Sequence, residues 1–129
     1  YGFSKEFTIN VERPGKSGAE EIQNMMTNFR ANPPKELGGS RVVLWKDYKT
    51  LQATDAEGNT TALNMPETSN VLQWFCDDDT KVSVRPSGTE PKIKFYIEVK
   101  GTMTDASQYE QLDREGAAKV EAIKKSLGL

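Results

Sequence analysis

Residues 93–100 read Ile-Lys-Phe-Tyr-Ile-Glu-Val-Lys, and that alternation leaves few conformations open. Ile93, Phe95, Ile97 and Val99 share one face of an extended strand, while Lys94, Tyr96, Glu98 and Lys100 share the other. A helix would scatter both sets around its circumference. The stretch is therefore a β-strand with one face in a core and the other outside it. At 129 residues, with 36% apolar and 28% charged side chains, the chain suits one soluble globular domain and is too short for two ordinary ones.

Other elements assemble around that strand. Residues 41–48 (RVVLWKDY) and 71–76 (VLQWFC) are rich in β-branched and aromatic side chains, and residues 80–84 alternate. Asp77-Asp78-Asp79 reads as a solvated hairpin turn, since consecutive carboxylates lack the ligand spacing and glycine of a calcium loop. Ser17 and Glu20 suggest a capping box, followed by an apolar helical stripe of Ile22, Met26 and Phe29 that stops near Ala31-Asn32, before Pro33-Pro34. Thr104 or Asp105 can cap a second helix with an inward stripe of Tyr109, Leu112, Gly116, Val120, Ile123 and Leu127, ending at Gly128. Residues 49–70 read as a surface hairpin turning at 55–59, with 60–63 returning as a short edge strand. Residues 1–16, with Pro14-Gly15, read as an incoming linker in extended form, and 17–129 as the domain. The expected fold is α+β: a mainly antiparallel sheet of about four strands with two helices on one face.

Composition removes whole classes of chemistry. With no histidine and one cysteine, the chain holds no Ser-His-Asp or Cys-His machinery, no histidine zinc site and no metal cluster; Cys76, in an apolar run, reads as a small buried hydrophobe. Gly15-Lys16-Ser17 hints at a Walker A loop, but the required earlier glycine is replaced by Asn10. No apolar run approaches the roughly 18 residues of a membrane span, and no secretory signal is visible, so a cytoplasmic protein without a membrane partner is expected. The chain starts at Tyr1, which suggests a domain cut from a longer protein. Net charge is −2, yet residues 81–100 carry five basic groups against Glu90 and Glu98. Positive charge confined to one loop and strand fits a small anion better than a nucleic acid.

That loop is Arg85-Pro86-Ser87-Gly88-Thr89-Glu90-Pro91-Lys92. Gly88 allows close backbone approach, Pro86 and Pro91 stiffen the ends, and Ser87 and Thr89 offer hydroxyl and N–H donors. Arg85 can fork onto two oxygens of one oxyanion, with Lys92 and Lys94 flanking it as point charges. On the residues alone two readings stand: a phosphate cradle, or a tight hairpin whose Ser and Thr satisfy its own backbone.

Residues 85–96, RPSGTEPKIKFY, closely resemble the C-terminal signature of the α-D-phosphohexomutases, the phosphoglucomutase/phosphomannomutase family, and look most like its phosphopentomutase-like branch. The order of elements over residues 17–127 is similar to that family's fourth domain. The resemblance implies a TATA-box-binding-protein-like α+β layer whose loop grips the phosphate that is not transferred. By position it assigns that role to Arg85, Ser87, Gly88 and Thr89, with Lys94 where many members place an arginine. Lys92 and Glu90 are implied only as support, Glu90 shaping the loop or pairing with a lysine. The family's phosphoserine, Asp-Gly-Asp-Gly-Asp metal and Gly-Glu-Glu-Ser-Gly sugar loops are not in this chain. It should therefore be a fragment without catalytic residues, metal or cofactor of its own. Mg²⁺ and a phosphoserine are then expected on preceding domains of a parent mutase acting on hexose or pentose phosphates. The other class left open is a free-standing phosphate-binding or interaction module; a nucleic-acid partner is disfavoured by the acidic remainder of the chain.

Overall fold

A computed structural model describes residues 2–13, 15, 17–87, 90–102 and 109–127. In chain order the elements are β1 (Gly2–Glu12), α1 (Gly18–Ala31), β2 (Glu36–Leu37), β3 (Ser40–Asp47), β4 (Gln52–Asp55), β5 (Thr60–Ala62), β6 (Leu72–Cys76), β7 (Lys81–Pro86), β8 (Lys92–Thr102) and α2 (Tyr109–Ser126). The strands lie in the order β1-β8-β7-β6-β3-β4-β5, with β2 paired to β3, and every pairing is antiparallel. The α+β layer is as expected, but the sheet has eight strands rather than about four.

Much of that difference lies in short or marginal strands that periodicity does not resolve, but one addition is long. Residues 2–12, expected to be an incoming linker, are extended and pair with β8 along their whole length, from Gly2 opposite Thr102 to Glu12 opposite Lys92. Their loose alternation has a use: Phe7, Ile9 and Val11 turn inward, with Ile9 in the core and the other two packed against it. Edge pairing is decided by a partner 80 to 100 residues away in sequence, from Glu12–Lys92 to Gly2–Thr102, and no local pattern names it.

One face of the sheet is the core. Trp45, Trp74, Val82, Ile97 and Phe7 lie in a single cross-strand row on that face. Ile22 and Met26 of α1 and Val120 and Ile123 of α2 join the same cluster. Phe29 meets Trp74 edge-to-face at a centroid distance of 5.2 Å and Phe95 at 6.1 Å. Burying each of these large side chains stabilises the fold by roughly 1.5–3 kcal/mol relative to exposure. Gly116 lets α2 approach β1: a Cβ there would lie 3.2 Å from the Phe7 ring.

Three local expectations change. Ser17 is not a side-chain cap; it is already near helical angles, and its carbonyl accepts from the Glu21 N–H at 2.9 Å, so no capping box forms. β8 runs to Thr102, beyond the alternating 93–99, because β1 continues to pair with it. The 77–79 turn is solvated only in part. Asp78 reaches back to accept from Ser40 Oγ at 2.5 Å and from Lys119 Nζ of α2 at 3.0 Å, fastening the helix to the sheet. The side chains of Tyr109 and Leu112 lie outside the described ones, as do Pro14, Thr104, Asp105 and Gly128 entirely.

Candidate functional site

β7 and β8 hold the two ends of the glycine loop. Ser87 N–H donates to the Lys92 carbonyl at 2.9 Å, Lys92 N–H to the Glu90 carbonyl at 2.8 Å, and Glu90 N–H to Ser87 Oγ at 3.3 Å. Ser87 thus serves the loop backbone, as the hairpin reading expects, while its side chain also borders the cleft described below. Gly88 and Thr89 lie outside the described residues.

The register places Arg85 directly opposite Lys94, and in β1 Asn10 opposite Lys94, so the three share one cross-strand row. Both cations stand exposed on the face away from the helices, and among the described residues neither makes an ion pair. Like charges directly across a ladder destabilise it, on the order of a few tenths of a kcal/mol at an exposed position. Arg85 and Lys94, with Pro86, Ser87 and Tyr96, line a cleft of about 260 Å³.

Lys92 is not part of that cleft. Its Nζ lies 2.7 Å from Glu90 and 3.5 Å from Glu12, its partner in the β1–β8 register. The hydrogen bond and charge of Glu90, then the charge of Glu12, raise the Lys92 pKa, and Lys92 in turn lowers that of Glu90. Glu90 therefore shapes the loop and pairs with a lysine, in keeping with the expectation for it. Its position within the loop is set from behind. Arg13 N–H donates to the Pro91 carbonyl at 2.9 Å. A Cβ on Gly18 would fall 1.6 Å from the Arg13 carbonyl oxygen and 2.9 Å from Pro91 Cβ, so only glycine lets α1 start there. Sequence reasoning missed Gly18, although a poor helix former beside a helix start was the available signal.

The next row on the open face is uncharged from β1 to β6 and then meets Lys46 of β3 opposite Gln73. Thr8, Tyr96, Ser83 and Gln73 follow one another across β1, β8, β7 and β6. Tyr48 donates its hydroxyl to Gln73 Oε1 at 2.7 Å, and Gln73 Nε2 donates to Ser83 Oγ at 3.1 Å. Among the described residues no three cysteine or carboxylate side chains gather into a set that could hold a metal ion. Cys76 is buried, and its thiol is pushed up to about 11 by desolvation and then by the charge of Asp78, so it is a poor nucleophile.

Residues 9–115 match the family described as phosphoglucomutase/phosphomannomutase, C-terminal domain. The chain belongs to that family. It is 41% identical over 87 residues to a phosphoglucomutase of Staphylococcus aureus strain MSSA476, and 40% identical over 86 residues to that of strain N315. Each alignment covers 67% of this chain and 15% of the relative, so the chain spans about one seventh of the curated proteins it matches. The matched range includes the turn between β7 and β8.

Proposed function

We propose that this domain supplies the grip for the non-transferred phosphate of a phosphosugar in a phosphoglucomutase-type mutase. The observation that carries the reading is the exposed Arg85–Lys94 row: two cations that face each other across a ladder and make no ion pair among the described residues gain from an anion that bridges them. Arg85 presents the two-pronged donor set, Lys94 a point charge, and Ser87 an adjacent wall. Gly88 and Thr89 would complete the cradle, as the family resemblance implies. Glu90 and Lys92 act as support, each cancelling the other's charge beside the site.

In the whole protein, catalysis would fall to other domains, which would carry the phosphoserine and Mg²⁺; this domain would orient the hexose or pentose phosphate. Binding energy gained at a remote phosphate can hold the reacting end in place and so lower the barrier. The parent acts in the cytoplasm in this reading, with neither membrane nor nucleic acid as a partner. The 129-residue chain alone should bind phosphate weakly, with a Kd on the order of 1 mM, and show no mutase turnover. Titration with inorganic phosphate, followed by ¹H–¹⁵N NMR, tests this. Shifts should cluster at residues 85–94, and Arg85→Ala should weaken binding about tenfold or more, the scale of a lost charge-assisted hydrogen bond. An Arg85→Ala response equal to that of the original chain would remove Arg85 from the site.

A further inference from the structure

The anion grip occupies only part of its cleft. Arg85, Lys94 and Ser87 form the polar side, but Pro86 and Tyr96 form another wall that a bare phosphate does not need. The volume of about 260 Å³ also exceeds that requirement: a tetrahedral oxyanion displaces on the order of two or three waters at about 30 Å³ each. Tyr96 sits two residues beyond Lys94 on the same strand and the same face, half-buried, and lines the cleft beside the cation row.

We propose that Tyr96 is a specificity residue: its ring packs against the carbon skeleton esterified to the bound phosphate, so that the domain selects a sugar phosphate over the free ion. The inference rests on the phosphate-grip reading and adds to it the direction in which the substrate leaves the grip. Two contrasts support the assignment. Among the described residues the hydroxyl of Tyr96 makes no hydrogen bond, whereas Tyr48, also reaching the open face, is tied to Gln73. Tyr96 is therefore not held as a structural polar link. The row containing it is also uncharged at Thr8, Ser83 and Gln73. Neutral hydroxyl and amide groups suit a polyol, and the row first reaches a cation at Lys46 of β3, beyond Gln73 and three strands from Tyr96. An aromatic face beside neutral hydrogen-bonding groups is the chemistry that receives the C–H face and hydroxyls of a sugar.

The test compares inorganic phosphate, methyl phosphate and glucose 6-phosphate on the 129-residue chain by NMR titration. Glucose 6-phosphate should bind about fivefold more tightly than inorganic phosphate, a difference of about 1 kcal/mol, with methyl phosphate between them. Tyr96→Ala should bring the three affinities together, and Tyr96→Phe should keep the preference because the ring remains. Tyr96→Thr, a β-branched replacement suited to a strand, gives the same readout if the alanine variant does not fold. Equal affinities in the original chain, or a preference that survives Tyr96→Ala or Tyr96→Thr, would overturn the role of Tyr96 while the phosphate grip stands. Loss of the preference in Tyr96→Phe would overturn ring packing in favour of the hydroxyl. Binding of none of the three would overturn the grip itself, and this inference with it.

Discussion

At its first residue β7 leaves a turn in which Asp78 is surrounded by partners; at its far end it delivers Arg85 to a face where, among the described residues, it has no ion-pair partner. Ser40 Oγ, Lys119 Nζ and the Thr80 N–H all donate to the Asp78 carboxylate. Burial alone would raise that carboxyl's pKa, but hydrogen bonds from the Ser40 and Thr80 side chains and from Lys119 outweigh it and hold the group well below the usual carboxylate range. At the opposite end the register sets Arg85 against Lys94, and among the described residues neither makes an ion pair. Both ends belong to one short strand in one domain, so the difference is not one of burial or of length. Charge answered within the chain holds α2 against the sheet. Charge left unanswered on an open face is available to a ligand, at a small cost in stability.

The comparison is broken most forcefully at Gly18. Gly18→Ala should destabilise the domain by about 3 kcal/mol, since the new methyl must displace the Arg13 carbonyl. Because Arg13 also holds Pro91, phosphate binding should weaken as well, measured by urea unfolding alongside titration of the folded fraction. Unchanged stability would show that the start of α1 shifts freely and does not anchor the loop.

A smaller effect sharpens the contrast. Asp78→Asn should cost about 1 kcal/mol at neutral pH, the half-exposed position trimming the value of its charged hydrogen bonds, and leave the phosphate affinity unaltered. The pH dependence has a definite sign. Because the folded carboxyl titrates below the unfolded value of 3.8, its contribution is complete above that value and declines as pH falls toward the folded one. Stability curves of the original chain and Asp78→Asn should therefore converge in acid; a constant gap down to pH 2 would assign the effect to packing.

The smallest effect has the opposite sign. Lys94→Thr removes the like charge facing Arg85 and should stabilise the ligand-free domain by a few tenths of a kcal/mol at low salt, the gain shrinking as ionic strength rises. The same change should weaken phosphate binding. Destabilisation by Lys94→Thr at low salt would mean that Lys94 has a structural partner and that the two ends of β7 are alike after all.

Some of the site was legible before any coordinates. Ile93, Phe95 and Ile97 alternate with Lys94 and Tyr96, which is enough to send the two sets to opposite faces, and all three apolar residues are fully buried. Glu90 beside Lys92 likewise announced a local pair. The alternation that aligns Lys92 with Lys94 says nothing about Glu12, which reaches Lys92 from another strand. Asn10 and Tyr96 were passed over for a related reason: each gains its place beside the cations only through the pairing of β1, β7 and β8.

By itself, then, the sequence determined the periods, the turns, the two apolar helical stripes and the unusual loop chemistry, because those depend on residues a few positions apart. Tertiary structure decided that residues 2–12 close the sheet edge, that Lys119 answers Asp78, and that Arg85 faces Lys94 without an acid between them. Those outcomes depend on cross-strand register and helix docking. Two charges distant in the chain share a field only once the backbone has brought them side by side, and the energy of that field decides which charge is structural and which is left for a ligand.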